Sequence, residues 1–188
     1  KGGESSMIVF QKPGKQNTQQ TLELAAMRAH REGMWLVVAS TGGPSAIEAV
    51  QAAQREGILD RLVIVGSVPD KGVQKMSAEA QALLREKGVP LVLASHALSG
   101  AERGLSTKMS GIYPVEIMAH TLRMLSQGVK VCVECGIMAL DAGAIPYGEA
   151  VVAVGGTGHG ADTACILTPA GAAAVLDCKI HEILCKPY

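Results

Sequence analysis

The sequence predicts an α/β fold in a three-layer αβα arrangement, with helices covering both faces of a mostly parallel sheet of five or more strands. Short runs rich in Val, Leu and Ile do not alternate with polar residues, which is typical of parallel strands covered on both faces. Helical segments separate these runs, and this alternation indicates a doubly wound sheet. The 188 residues fit one α/β domain over 1–188 and are too few for a (β/α)₈ barrel of roughly 250 residues.

The strands are predicted from the apolar runs in chain order. They are expected at residues 36–39, 62–65, 91–94, 151–154 and 164–167, with a final one at 179–185. The segment 130–142 fits both a strand and a helical face. Its length favours a buried helix that is apolar on most sides.

The helices between the strands are predicted from their end signals. Asn17 is expected to cap the first helix, with Gln20 in the reciprocal position of a capping box, and Gly33 to end it. The later helices have proline or serine starts and glycine ends: Pro44 and Gly57, Ser77 and Gly88, and Pro114 at the start of a helix with one apolar face.

Composition excludes several classes of protein. Lys and Arg together number 17, as do Asp and Glu, so the basic excess typical of nucleic-acid binding is missing. The most apolar stretch, residues 131–145, is interrupted by Glu134 and Asp141, so no membrane span is expected. No signal peptide is visible, and five cysteines do not suggest a disulfide framework. We therefore expect a cytoplasmic protein.

Glycine is abundant, with 22 residues, and a first glycine-rich loop joins a predicted strand to a predicted helix. Its glycines allow close backbone approach, and the helix start offers N–H groups at the positive end of the helix dipole. This combination predicts a phosphate site, the alternative being a tight turn with a serine cap. The residues assigned to the site are Ser40, Thr41, Gly42, Gly43 and Ser45.

A second glycine-rich loop follows the predicted strand at 151–154. Its consecutive N–H groups can bind an anion, although a mobile surface loop is the alternative. His159 and Asp162 are the candidate catalytic residues, since a histidine can exchange a proton near neutral pH and the carboxylate can hold a hydroxyl, a base or a cation. The residues assigned to ligand binding are Gly155, Gly156, Thr157, Gly158, His159, Gly160, Asp162 and Thr163.

Residues 95–111 are predicted to form a long loop after the third strand. Loops of this length in a compact domain are often lids or binding loops. His96 and Arg103 are its candidate ligand clamps.

Cys132 and Cys135 form a CxxC motif, which suggests a thiol or metal protein as an alternative. No second CxxC completes a zinc site. Free cysteine commonly behaves as a small buried hydrophobe, so we expect no metal site.

A series of motifs extends over nearly the whole chain in a specific order. They are FQKPGKQNT at 10–18, TL at 21–22, VAS at 38–40, HALSG at 96–100 with Arg103, GVKVCVE at 128–134, MALDAG at 138–143, GGTGHGADTA at 155–164 and EILCKP at 182–187. Together they resemble the free-standing pyruvate-kinase-C-terminal-domain-like proteins, which are small prokaryotic, largely archaeal α/β proteins without an established activity.

The resemblance implies a role for the first glycine-rich loop. In pyruvate kinase the related domain is regulatory, joins subunits, and holds an allosteric sugar phosphate in a Ser/Thr-Gly loop after its first strand. This role falls here on Ser40, Thr41, Gly42 and Ser45, but Gly43 and Pro44 depart from the kinase pattern, so the ligand need not be the same. No pyruvate kinase activity is expected, because that active site lies in the barrel that this length excludes.

The resemblance also implies a strand order of 3-2-1-4-5 with an antiparallel strand at the edge. Ligands of open α/β sheets bind where the order reverses, outside the carboxyl ends of the strands. Both glycine-rich loops would then face one crevice.

The function expected from these observations is the binding of a phosphorylated small molecule such as a mononucleotide or flavin mononucleotide (FMN), with catalysis on that metabolite left open. The alternatives are a regulatory or assembly module that uses helices such as 114–127, or a CxxC thiol protein. A homo-oligomer is expected.

Overall fold

The structure, a computed structural model, describes residues 6–188. Its strands are β1 (Ile8–Phe10), β2 (Trp35–Ala39), β3 (Leu62–Ser67), β4 (Leu91–Ala94), β5 (Val151–Gly155), β6 (Thr163–Thr168) and β7 (Lys179–Pro187). Its α-helices are α1 (Thr18–Glu32), α2 (Pro44–Glu56), α3 (Ala78–Lys87), α4 (Gly100–Met109), α5 (Pro114–Arg123) and α6 (Gln127–Asp141). Short 3₁₀ helices lie at Lys15–Asn17, Leu59–Arg61 and Ala172–Asp177.

The strands form one mixed sheet in the order β1-β7-β6-β5-β2-β3-β4. Strands β2, β3, β4 and β5 are all parallel, whereas β6 is antiparallel to both β5 and β7. The predicted α/β class and the mostly parallel sheet are therefore confirmed, with antiparallel pairing gathered at one side. Counted along the chain from β2, the first five predicted strands lie in the order 3-2-1-4-5.

Two further strands extend this side of the sheet. The predicted final strand is β7, and β1, which sequence reasoning did not predict, pairs parallel with it. Only three residues form β1, too few to show a periodic pattern. The pairing joins the two ends of the described chain.

Two hydrophobic clusters cover the two faces of the sheet. Leu36 and Val38 of β2 pack with residues of α1, α2 and α3, while Val37 between them packs with residues of α5 and α6. Successive side chains of a strand point to opposite faces. A strand covered on both faces is therefore apolar throughout, which explains why the predicted strands lack polar alternation.

The end signals of α2 and α3 act as predicted. Pro44 lies in the first turn of α2, and Gly57 ends that helix. Ser77 Oγ accepts a hydrogen bond from Ala80 N at 3.2 Å at the start of α3, and Gly88 ends it.

The prediction that Asn17 caps α1 is wrong. Residues Lys15–Asn17 form a 3₁₀ helix that leads into α1, so Asn17 has helical backbone angles and its side chain makes no cap bond. Its Nδ2 instead donates to the carbonyl of Lys12 at 2.8 Å, which fastens the preceding turn. Gly33 ends α1 as predicted.

The prediction of a long loop at 95–111 is also wrong, because α4 occupies most of this segment. No residue of α4 is buried, so the helix lacks the apolar face that would reveal it in the sequence, and its two glycines lower helix propensity. Arg103 lies on α4 with its side chain 70% exposed, 4.0 Å from Glu116.

The ambiguous segment at 130–142 lies in α6 up to Asp141, and the preference for a buried helix is confirmed. The helix that Pro114 opens ends at Arg123, and α6 begins at Gln127 with Ser126 Oγ accepting from Val129 N at 3.0 Å. Among residues 6–188, no helix has the length and apolar character needed to cross a membrane.

Candidate functional site

A cavity of about 680 Å³ lies at the carboxyl ends of the parallel strands. Segments that follow β2, β4 and β5, together with the end of β3, contribute to its wall. Strand β3 lies on one side of β2 and β5 on the other, so the order reverses between β2 and β5. Open α/β sheets hold ligands at such a point, and small-molecule sites commonly measure about 300–1,000 Å³.

The cavity brings together the two glycine-rich loops and the segment after β4. The predicted site residues that line it are Ser40, Thr41, Gly42, Ser45, His96, Gly156, Gly158, His159 and Gly160. The predicted site residues outside its lining are Gly43, Arg103, Gly155, Thr157, Asp162 and Thr163. Polar lining residues that sequence reasoning did not assign to the site include Lys15, Glu48, Ser67 and Gln127.

The first glycine-rich loop is hydrogen-bonded through its backbone to β3 and to the residue that caps α3. Ser40 Oγ accepts from Ala46 N at 3.1 Å, so this hydroxyl satisfies one N–H of the first turn of α2. Gly43 has φ +113°, and a Cβ there would lie 2.7 Å from Ala80 Cβ. Gly42 differs, since a Cβ there would approach only Pro44 Cδ, at 3.8 Å. Gly42, which lines the cavity, therefore has open space beside its Cα.

The second glycine-rich loop is packed against the start of α1. A Cβ at Gly160, where φ is +76°, would lie 2.4 Å from Thr18 Oγ1. Thr18 Oγ1 also accepts from Ala161 N at 3.0 Å, and a Cβ at Gly156 would meet Gly160 O at 2.3 Å. Close packing thus accounts for two of these glycines, while the space beside Gly158 is open.

Asp162 holds this loop in place from behind. Its Oδ2 accepts from Gly14 N at 2.9 Å and from Thr157 N at 3.2 Å. Its Oδ1 accepts from Thr163 Oγ1 at 2.9 Å, and the residue is fully buried. Because both carboxylate oxygens are bonded within the protein, the structure gives Asp162 a positioning role and leaves His159 as the candidate catalytic residue of this loop at the cavity.

A chain of polar side chains leads from the first loop to the core. Thr41 Oγ1 lies 3.3 Å from Ser67 Oγ, and Ser67 Oγ lies 3.5 Å from His96 Nε2. On the other side of the imidazole ring, His96 Nδ1 lies 3.4 Å from Glu134 Oε2. Three cavity-lining side chains are therefore linked to one buried carboxylate of α6.

Glu134 is almost completely buried and is balanced by a neighbouring cation. Its Oε2 lies 2.5 Å from Lys130 Nζ, one helical turn away, and its Oε1 accepts from Leu98 N at 3.1 Å. Burial by itself would raise the pKa of Glu134, but the close contacts and charges of His96 and Lys130 outweigh it and hold the pKa below its usual value. Glu134 is therefore ionised, and the hydrogen bond that it accepts from Leu98 N holds the segment that carries His96.

The remaining wall of the cavity divides into apolar and charged parts. Val65, Val131 and Met138 supply apolar surface, whereas Lys15 supplies a basic side chain and Glu48 an acidic one. Such a mixture suits a ligand with an apolar ring and a charged end.

The cysteines of the CxxC motif lack the character of reactive thiols. Burial raises the pKa of Cys135 to about 12, and it raises the pKa of Cys132 well above the usual value. A thiol needs a lowered pKa to act as a nucleophile near neutral pH. Within residues 6–188, no three His, Cys, Asp or Glu side chains are grouped so as to hold a metal ion.

No protein-family model matches this chain. The candidate site therefore rests on its own geometry.

Sequence reasoning missed Ser67 and Glu134 for different reasons. Ser67 is the last residue of a buried strand, and a single serine at a strand end is too common to be a signal. Glu134 did have a recognisable signal in the sequence. It lies four residues after Lys130 in an otherwise apolar helix, and two opposite charges at this spacing indicate a buried ion pair.

Proposed function

We propose that this protein binds a small molecule carrying a phosphate group in the cavity between β2 and β5, with a mononucleotide or FMN as the ligand class. The observation that carries the proposal is the convergence of both glycine-rich loops on one cavity at the reversal of strand order. Loops of this kind present backbone N–H groups to anions.

The arrangement of the wall gives the ligand an orientation. Its phosphate is expected beside Thr41, Gly42 and Ser45, where α2 begins and Gly42 leaves space. Its ring is expected against the apolar side chains of Val131 and Met138. The resemblance to the pyruvate kinase regulatory domain supports the same end of the cavity for the phosphate, since that domain uses the corresponding loop.

Titration calorimetry with FMN, with adenosine and uridine monophosphates and with inorganic phosphate tests the proposal. The Gly42→Asp variant is expected to weaken binding about tenfold or more, because its carboxylate would repel the phosphate and compete for the N–H groups of the loop.

The matched control is Gly104→Asp in α4. A Cβ at Gly104 has nothing within 4 Å, and this helix lies outside the cavity lining. Gly104→Asp should bind like the unsubstituted protein. No binding of any of these ligands, or equal affinity in Gly42→Asp, would contradict the proposed site.

The second candidate function, assembly through surface helices, is favoured by apolar side chains exposed on and between α4 and α5. These are Leu105, Met109, Ile112 and Ile117, which are 50–77% exposed. Light scattering of the protein and of the variant Met109→Lys/Ile112→Lys tests it. Dissociation of an oligomer by this variant would support assembly through the two helices, and a monomeric parent protein would contradict it.

A further inference from the structure

The polar chain from Thr41 to Glu134 has the arrangement of an activated nucleophile. One of its members is Ser67, which lines the cavity at the carboxyl end of β3. His96 is half exposed beside it, while Glu134 is 1% exposed behind the imidazole ring. A serine, a histidine and a carboxylate in this order form the constellation used for acyl transfer on several unrelated folds.

The hydrogen-bond roles follow from the carboxylate. Glu134 is ionised and only accepts, so the imidazole nitrogen that faces it, Nδ1, carries the proton. The other nitrogen, Nε2, is then an acceptor for the hydroxyl proton of Ser67. Ser67 Oγ lies 3.5 Å from Nε2, at the outer limit of a hydrogen bond, and Glu134 Oε2 lies 3.4 Å from Nδ1, at ion-pair distance. Such long separations are common between catalytic groups before substrate binds.

Two surrounding groups suit this chemistry. Glu134 Oε1 accepts from Leu98 N, which holds the segment after His96 against α6 and limits its movement. Thr41 Oγ1, 3.3 Å from Ser67 Oγ, supplies a second hydroxyl at the cavity, as a donor for the negative charge that develops on the oxygen of an attacked carbonyl.

We propose that Ser67 is a nucleophile, that His96 is its general base and that Glu134 positions His96, so that the cavity hydrolyses small carboxylic esters. This inference uses the same cavity as the proposed function but does not depend on a phosphate in the ligand.

The reaction needs only water as the second reactant. Ser67 Oγ bonds to the acyl carbon while its proton passes to His96 Nε2, and that proton then leaves with the alcohol as the ester C–O bond breaks. Water attacks the acyl group on Ser67, giving one proton to His96 Nε2. The carboxylic acid departs, and the proton returns to Ser67 Oγ.

The experiment is labelling of the full chain with a fluorophosphonate ester, followed by mass spectrometry of the intact protein and of its peptides, together with hydrolysis of p-nitrophenyl acetate. We expect one adduct on Ser67, none in Ser67→Ala, and unchanged labelling in the control Ser95→Ala, which replaces an exposed serine of the adjacent segment. His96→Ala should label about 100-fold more slowly. Imidazole in the buffer should restore part of this rate, which a merely structural role of His96 would not produce.

Glu134 is tested in a variant that removes both charges of the buried pair. Lys130→Met/Glu134→Gln leaves no uncompensated charge in the core and should retain the melting temperature within a few degrees while labelling about tenfold or more slowly. An unlabelled Ser67, an adduct on Thr41 instead, or an equal rate in His96→Ala would each overturn the inference. Titration with FMN and inorganic phosphate on the same samples separates the two proposals, since either binding or labelling can fail alone.

Discussion

The carboxylate of Glu134 and the imidazole of His96 meet at 3.4 Å across the boundary between the core and the cavity. Glu134 is 1% exposed and His96 is 48% exposed. The buried carboxylate of Glu134 thereby contacts an imidazole that a ligand in the cavity can reach. A substitution of Glu134 in α6 is consequently expected to change both the free energy of unfolding and the position of His96.

The first prediction concerns the charge balance in α6. Glu134→Gln is expected to lower the free energy of unfolding by about 3–5 kcal/mol, because it leaves the buried ammonium of Lys130 without its partner. Urea unfolding measures this loss. Lys130→Met/Glu134→Gln is the control and should recover most of the lost stability. A single variant within 0.5 kcal/mol of the parent, a limit typical of surface changes, would show that Glu134 is not a buried partner of Lys130.

The second prediction is the pH dependence of the same pair. The pKa of Glu134 in the folded protein lies below its ordinary value of 4.5, so its ionised form stabilises the fold fully above that value. This contribution is lost as pH falls through the folded pKa, because the native state must then take up a proton. Urea unfolding at pH 3–7 should show a steeper acid loss in the parent than in Lys130→Met/Glu134→Gln. Parallel curves would contradict the assignment.

The third prediction compares two glycines. Gly160→Ala is expected to lower stability by about 1–3 kcal/mol, because it combines φ +76° with a Cβ 2.4 Å from Thr18 Oγ1. Gly104→Ala, which has open space and lies inside α4, should raise stability by about 0.5–1 kcal/mol through helix propensity. Thermal melting of both variants checks the signs, and equal shifts would show that the second loop is not packed against α1.

The fourth prediction separates positioning from binding at Asp162. Asp162→Asn is expected to cost about 2 kcal/mol, because the amide cannot accept all the hydrogen bonds that the carboxylate accepts. Hydrogen exchange should accelerate at the N–H groups of Gly14 and Thr157. Asp177→Asn, at an exposed site, is the control. Full stability with loss of ligand binding would instead make Asp162 a direct ligand group.

The fifth prediction concerns thiol chemistry. In the native protein at pH 8, iodoacetamide should modify Cys178, which is only partly buried, and spare Cys132 and Cys135. Burial keeps the latter two protonated, with the pKa of Cys135 at about 12. Peptide mass spectrometry reads out the order of modification. Rapid modification of Cys135 would instead support the alternative that the CxxC motif is a reactive thiol site.

Several elements of this protein were predictable because their signals are local. The apolar runs of β2, β3 and β5 reflect burial on both faces, and Pro44, Ser77 and Gly88 act within single turns. The α4 helix was not predictable in this way, because it buries no residue and carries two glycines. The prediction that Asn17 caps α1 failed because a cap residue needs non-helical backbone angles. Asn17 is the last residue of the preceding 3₁₀ helix and therefore has helical angles.

The amino-acid sequence by itself determined the layers of the fold and the positions of both glycine-rich loops, because periodicity, caps and glycine clusters act over a few residues. Only the tertiary structure decided what surrounds those loops. It placed Asp162 outside the cavity lining and brought Ser67, His96 and Glu134 next to one another, from a strand, a loop and a helix that are 29 and 38 residues apart in the chain (96 − 67 and 134 − 96). Contacts of this kind depend on the packing of distant segments, which no local pattern in the sequence encodes.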